Sequence, residues 1–494
     1  MGIAKRAVRG LMWSYIVYFS SRLFTMVSTA VLARLLIPDD FGLISYALLL
    51  LNFIEATQDF GIKDALIYSS ERQDDTADSA FLMNIGIGLL QYGLAFLLAP
   101  ISLRLVDDPR IVPMLRVMAL TFVFNALGNT HDGLLQKELL FKQRYIPDLF
   151  SAVIKGIAAI VLALLGFGVW SLVSSHVIGS VVRMIGKWVL CSWRPRFRFF
   201  MDRARMLWGY GVYILLFNLL GVALEQADQM FIGLLLGETQ LGYYSIAARI
   251  PEMILINFSL VLTKVIFPAY AKLKEDRARL IQGFLTTTKY TAFVTVPIGL
   301  GIVAIAPEMV PVVFGEQWEP AIILVQVLAL LGMVATLPWS AGDVFKALGR
   351  PDISTKLLLV EGMYTFPLIW VMTNRTPLAV TASFANLLAL MVTTILRLWL
   401  ASRFLAFSPK RYISVFRSAF VGGGIMFVVV MLWRSLVSDW PDLAILVTAI
   451  PIGGMVYLAL LWWLERDEVL DAWEIFRGAL RRPSIPAPSE PVEP

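Results

Sequence analysis

ARLLIPDDFGLISYA (Ala33–Ala47) and GLLLGETQLGYYSIA (Gly233–Ala247) lie over one another at an offset of 200 without a gap. Gly42 meets Gly242, Ser45 meets Ser245 and Ala47 meets Ala247. Leu35 and Leu36 meet Leu235 and Leu236, and Phe41 meets Leu241. In each copy a long apolar run stops at a few polar residues and resumes, which is the pattern of a tight turn between two long helices. A weaker echo at offset 210 sets Val117, Ala119 and Leu120 against Val327, Ala329 and Leu330. The chain therefore reads as two copies of one unit, an internal repeat that decides its architecture.

Outward from these turns the apolar runs continue through most of the chain. Of its 494 residues 58% are hydrophobic and 16% charged, and the mean hydropathy is +0.74. A soluble domain of ordinary composition is about 25% charged; this one needs the bilayer as solvent. A membrane-crossing helix takes roughly 20 mostly apolar residues. Segments of that kind fall at 11–36, 41–61, 80–103, 111–135, 148–166, 168–191, 207–236, 241–267, 284–306, 318–342, 353–373, 377–401, 412–434 and 442–464. The positive stretch Lys5, Arg6 and Arg9 leads into the first of these with no small-residue cleavage site at the right distance, so it reads as a spanning helix rather than a cleaved signal. The fold class expected is an all-α polytopic membrane protein with about 14 transmembrane helices. Two six-helix lobes stand in parallel repeat around a central cavity, with an appended C-terminal pair. Six is an even number, so both copies share an orientation and the symmetry axis runs along the membrane normal, a transporter design.

The loops give the expected direction. Of the 42 Lys and Arg, 29 are assigned to the side that holds both termini and nine are left within the spans. Only Arg104, Arg110, Arg375 and Arg434 fall on the other. Short loops rich in Lys and Arg stay in the cytoplasm, so both termini are expected there. The predicted organisation is an N-lobe at 1–191, a basic cytoplasmic linker at 192–206, a C-lobe at 207–401, appended helices at 402–464, and an interfacial helix with a disordered tail at 465–494. The linker's Arg194, Arg196, Arg198, Arg203 and Arg205 read as a topology anchor in contact with anionic head groups.

The turns carry a family resemblance. ARLLIPDDFG at 33–42 is followed in order by Asp228–Gly233 running into LGYY at 241–244, FPAY at 267–270, FGEQW at 314–318 and KALGRP at 346–351. This series, over roughly residues 1–400, resembles the bacterial polysaccharide and O-antigen flippases. These are the Wzx-type and teichuronic-acid-exporter-like branch of the multidrug/oligosaccharidyl-lipid/polysaccharide exporter superfamily. The resemblance implies a monomeric flippase in the bacterial cytoplasmic membrane. It would carry an undecaprenyl-diphosphate-linked oligosaccharide from the inner to the outer leaflet, driven by H+ or Na+, in contact with membrane lipids and envelope polysaccharide-assembly proteins. No cofactor and no nucleic acid is expected. The rivals are a multidrug/cation antiporter of the same superfamily, the flippase of the lipid-linked peptidoglycan precursor, and a membrane glycosyltransferase or polymerase. The last would need a large outer loop or an acidic catalytic loop, and neither is present; the missing Walker loop excludes ATP-driven transport within this chain.

Charges inside the spans mark the candidate site, because a charge near the bilayer centre costs at least about 2.5–3.5 kcal/mol without a partner or a watery cavity. Arg22, Arg249, Lys155 and Arg183 are the expected cavity cations for the diphosphate; Arg suits two phosphate oxygens at once. Glu55, Asp59, Glu225 and Asp228 are the expected coupling or ion-pair carboxylates. Counted from the two turns, Arg22 and Glu55 stand at one depth, as do Asp228 and Arg249, so each hairpin is expected to pair a cation with a carboxylate. Either the pairs only fix helix packing, or the carboxylates exchange the arginines with substrate. Glu225 and Asp228, three apart, are expected on one lumen-facing stripe. His176 is expected as a hydrogen-bonded packing residue.

Overall fold

The computed structural model describes residues 3–57, 62–63, 66, 73–104, 106–138, 140–201, 221–223, 225–468 and 470. Asp59, half of the seventh expected span and the C-terminal tail lie outside them. The described residues are helical almost throughout, with no strand among them. The helices are α1 (Ile3–Leu35), α2 (Pro38–Glu55), α3 (Gln73–Leu98), α4 (Ile111–Lys137), α5 (Phe141–Leu164), α6 (Val169–Leu190) and α7 (Ala227–Ala247). They continue as α8 (Asn257–Leu273), α9 (Arg277–Phe314), α10 (Glu316–Ala347), α11 (Pro351–Arg375), α12 (Ala379–Leu405), α13 (Pro409–Leu436) and α14 (Asp442–Leu464). Ten helices among the described residues are long and apolar enough to cross a membrane. Their outer faces are apolar too, with Met363 78% and Trp463 80% exposed. The chain is a multi-pass membrane protein.

Local chemistry sets the breaks. Proline opens α2, α11 and α13 at the first helical turn, where its missing N–H breaks no hydrogen bond. Gly237 takes φ 83° in the middle of α7, a left-handed conformation that glycine adopts without strain. It divides α7 into two arms, the end of one span and the start of the next. After α7 the chain makes one turn at Arg249–Pro251 and then a π turn over Glu252–Ile256 before α8. Proline's lost N–H is a recurring cause of such kinks, and π turns cluster at functional sites. Pro338 interrupts α10, leaving helical segments Ile322–Thr336 and Trp339–Ala347.

In the first half α1 packs on α5, α5 on α6, and α4 on both α3 and α6; in the second, α11 packs on α12 and α10 on α9 and α12. The appended α13 and α14 lie along α9. The two halves meet chiefly where α2 crosses α7, the two turns that the repeat superimposes. Here Gly42 faces the backbone of Glu238, and Gly242 faces the backbone of Pro38. Thr239 Oγ1 donates to Asp39 Oδ1 at 2.6 Å, and the Tyr46 hydroxyl donates to the Gly233 carbonyl. Trp318, fully buried, stacks edge-on against Phe41 and Tyr243, with centroids 5.3 and 5.9 Å away. Its Nε1 donates to the Ala33 carbonyl at 2.8 Å, and Gln317 Nε2 donates to the Leu36 carbonyl at 3.0 Å. The FGEQW stretch is thus a plug over the α1–α2 turn. Together these contacts seal the end of the molecule that carries few basic loops.

Candidate functional site

Behind the seal the halves face each other across a seam between α1 and the Arg249–Ile256 stretch. Arg22, Thr25 and Thr29 of α1 stand opposite Arg249, Glu252 and Met253 around a cavity of about 40 Å³. Arg22, Arg249 and Glu252 are all exposed, so the seam is an open polar face, of the kind that a membrane protein turns toward a cavity and away from lipid. The Arg22 guanidinium lies over the Tyr18 ring at 5.3 Å. The Tyr18 hydroxyl donates to Asn257 Oδ1 at 2.6 Å, a bridge from α1 to α8.

Further into the first half, Lys155 of α5 meets His176 of α6. Lys155 Nζ is 3.2 Å from Nδ1 and 3.0 Å from Nε2 of the ring. An ammonium only donates, so this contact requires a neutral imidazole. Arg249 and Arg183 both lie within electrostatic reach of Lys155. Arg183 in turn sits with Glu55, Asn125, Asn129 and Lys187 around a pocket of about 120 Å³. Its Nε is 3.2 Å from Asp148 Oδ1. Lys187 Nζ is 3.2 Å from Asp132 Oδ1, and the same carboxylate takes Lys63 and Arg144. A track of cations therefore runs from the seam through α5 and α6 toward the basic face. Arg22, Arg249 and Lys155 have no carboxylate at ion-pair distance among the described residues; Arg183 and Lys187 do.

The expected hairpin pairs do not form. Asp228 is buried and accepts from the Tyr244 hydroxyl, from Asn386 Nδ2 at 3.2 Å and from the Gln229 amide at 2.8 Å. It belongs to the packing of α7 on α12, and Arg249 points the other way, into the seam. Glu55 likewise stands beside Arg183 and not Arg22. The expected stripe of Glu225 with Asp228 is also divided: Glu225 is exposed and Asp228 buried. The cause is local, since Gln226 between them has φ −106°, ψ 13°, which breaks the helical register. His176 is hydrogen-bonded as expected. Asp59 lies outside the described residues.

Sequence reasoning missed Asn125, Asn129, Lys187 and the Asp132 cluster. Asn125 and Asn129 are four residues apart and so share one face of their span, a spacing that could have flagged them. The ion pair of Arg397 with Glu361, at 3.8 Å between α12 and α11, was also missed.

At the seal, outside the spans, the acids are crowded. Burial pushes the Asp40 and Glu238 carboxyls above their ordinary range, with Asp108 and Asp39 adding to the rise at Glu238. Arg110 bonds Asp108 and holds its carboxyl below that range; Arg110 also reaches Asp40 Oδ1 at 3.7 Å.

Comparison with known proteins agrees with this architecture. Residues 31–323 match the family described as "Polysaccharide biosynthesis protein". The chain is similar to the succinoglycan biosynthesis transport protein ExoT of Rhizobium meliloti (strain 1021), 28% identical over 66% of this chain and 66% of that one, so just under two thirds of that protein's length is spanned. It is similar to the lipopolysaccharide biosynthesis protein WzxC of Escherichia coli (strain K12), 24% identical over 80% of this chain and 81% of that one. Among solved structures, the lipid II flippase MurJ in its inward closed conformation has the same fold. The TM-score is 0.77 at 14% identity, covering 93% of this chain and all of that one.

Proposed function

We propose, for a chain that belongs to the polysaccharide biosynthesis protein family, that it is a flippase moving an undecaprenyl-diphosphate-linked oligosaccharide from the inner to the outer leaflet of the bacterial cytoplasmic membrane by alternating access. The observation that carries this reading is the cation set of Arg22, Arg249 and Lys155, which has no carboxylate at ion-pair distance among the described residues and lies behind a seal on the opposite face. A watery cavity with surplus positive charge favours a diphosphate and disfavours the cationic substrates of a multidrug antiporter. Both termini are taken as cytoplasmic, so the cavity faces the leaflet where the lipid-linked sugar is made.

In this reading Arg22 and Arg249 grip the diphosphate from the two halves, each able to donate two parallel hydrogen bonds. Lys155 adds a point charge, and Arg183 stands at the edge of the set. Bound substrate ties the halves together at the seam, which offsets the loss of contacts when the seal opens. Glu55 and Glu225, both exposed, take up protons or a cation as the substrate binds and leaves; Asp228 stays with Tyr244 and Asn386. The coupling ion proposed is H+ or Na+, and the working unit is one chain.

The test is transport in proteoliposomes of a fluorescent undecaprenyl-diphosphate-linked saccharide, read by quenching of the lipid that reaches the far leaflet. Arg22→Ala and Arg249→Ala should each lower the rate at least about tenfold, the equivalent of one charge-assisted hydrogen bond of ~1.4 kcal/mol or more. Wild-type rates in both variants would overturn the reading.

A further inference from the structure

We infer that the pocket between α2, α4 and α6 is a saccharide subsite, which holds the neutral hexopyranose next to the carrier's diphosphate; this rests on the diphosphate reading above. Asn125 and Asn129 present two side-chain amides on one face of α4, where they line the pocket, and neither is hydrogen-bonded to another side chain or backbone group among the described residues. In a membrane helix such groups need a polar partner, and with none among the described residues they are open to water or a ligand. With Glu55 opposite, the pocket offers two amide carbonyls and a carboxylate as acceptors. The amide NH2 groups, Arg183 and Lys187 are its donors.

That mixture separates sugar from phosphate. A phosphate oxygen only accepts, and three acceptor groups around it would repel it. A sugar hydroxyl both donates and accepts, and neighbouring hydroxyls match an amide or a carboxylate. The charges agree. Both cations on this pocket already have carboxylate partners, Arg183 with Asp148 and Lys187 with Asp132, each at 3.2 Å. The cations of the seam have none at ion-pair distance among the described residues; Glu252 lines the seam with them but does not close on either arginine. The diphosphate is thus drawn to the seam and the polyol to the pocket. Gly128 lies between the two asparagines; a Cβ there would meet Lys187 Cδ at 3.5 Å, so any longer side chain would narrow the floor. Arg183 joins the two places, lining the pocket and standing within reach of Lys155.

The test measures binding to the purified full chain in lipid nanodiscs. The ligands are undecaprenol, undecaprenyl diphosphate, and undecaprenyl diphosphate bearing a single glucose, galactose or N-acetylglucosamine. At least one glycosylated lipid should bind about tenfold tighter than the bare diphosphate. Asn125→Leu and Asn129→Leu should each bring it to within about twofold of the bare lipid, whose own binding stays unchanged. Asn125→Ala and Asn129→Ala serve where leucine disturbs folding, with bare-lipid binding as the sign of an intact cavity. The inference is overturned if no glycosylated lipid exceeds the bare one, or if the gain survives in both asparagine variants. If wild type binds the bare diphosphate no better than undecaprenol, it is the diphosphate reading that falls.

Discussion

A Cβ built on Gly42 would sit 1.9 Å from the Glu238 carbonyl oxygen, and one on Gly242 would sit 2.1 Å from that of Pro38. Both neighbours are backbone, so no rotamer change relieves the clash. Overpacking of this kind costs about 1–3 kcal/mol, and here the strain is released by parting the halves. Gly42→Ala and Gly242→Ala should each shift the molecule toward a state open at the seal, roughly tenfold for ~1.4 kcal/mol. A cysteine placed at Ser45, which is buried on the Gly42 face of α2, reports it, because the native Cys191 is buried as well. Its labelling by a membrane-impermeant thiol reagent should speed up in both variants, and unchanged labelling would contradict the steric account. The equivalence of these glycines was legible from the repeat, but their contacts were not, since each touches the other half of the chain. Depth was legible for Asp228 and Arg249 in the same way. Azimuth was not: the broken register at Gln226 and the π turn after Pro251 rotate the two side chains to different faces.

Helices separate what is legible from what is not along the same line. Apolar runs mark where a span lies, because lipid demands them, and every expected span with described residues is helical there. A 3.6-residue period carries no sign of the π turn at Glu252–Ile256, and the seam owes its shape to that turn. The attachment of α13 and α14 to α9 was equally hidden. Arg434 Nε donates to Glu308 Oε1 at 2.7 Å near one end, and Lys289 Nζ donates to Glu465 Oε2 at 2.8 Å near the other. With side chains 18% and 10% exposed, Arg434 and Glu308 are a largely desolvated pair. Removing one partner strands the other, at a cost of about 3 kcal/mol. Arg434→Met should lower the thermal unfolding midpoint, and adding Glu308→Gln should recover most of the loss. A double variant no more stable than the single would refute the pairing as the cause. The seal's acids give a pH dependence. Asp40 and Glu238 have raised pKa values when buried in the closed seal and return to the ordinary range when it opens. Protonation therefore favours the closed form, which strengthens as pH falls toward the raised values and weakens as pH rises above them. The Asp108–Arg110 pair acts in the opposite sense, and only as pH falls through the depressed Asp108 value. The Ser45→Cys labelling rate should fall on mild acidification, and Glu238→Gln should flatten the response.

For the molecule as a whole, the proposed alternating access would be one rigid-body motion that moves the two hairpins of the offset-200 repeat against each other. The α2–α7 crossing lies at one end of that motion and the Arg22–Arg249 seam lies behind it, so opening one changes the other. Asp39 and Thr239 hydrogen-bond through their side chains across the seal and occupy equivalent places in the two repeats. Asp39→Cys with Thr239→Cys should therefore form an oxidised cross-link in the closed state. The locked protein should still bind undecaprenyl diphosphate from the basic face, because the seam is untouched. It should transport none of the lipid-linked saccharide in proteoliposomes until a reductant is added, and then recover. The reduced double variant and each single variant fix the baseline. Transport at the reduced rate while the cross-link is intact would mean that the substrate passes without the seal opening, and alternating access between the halves would be wrong. Loss of binding together with transport would mean instead that the lock deforms the seam. Reading binding and transport on one sample separates the two.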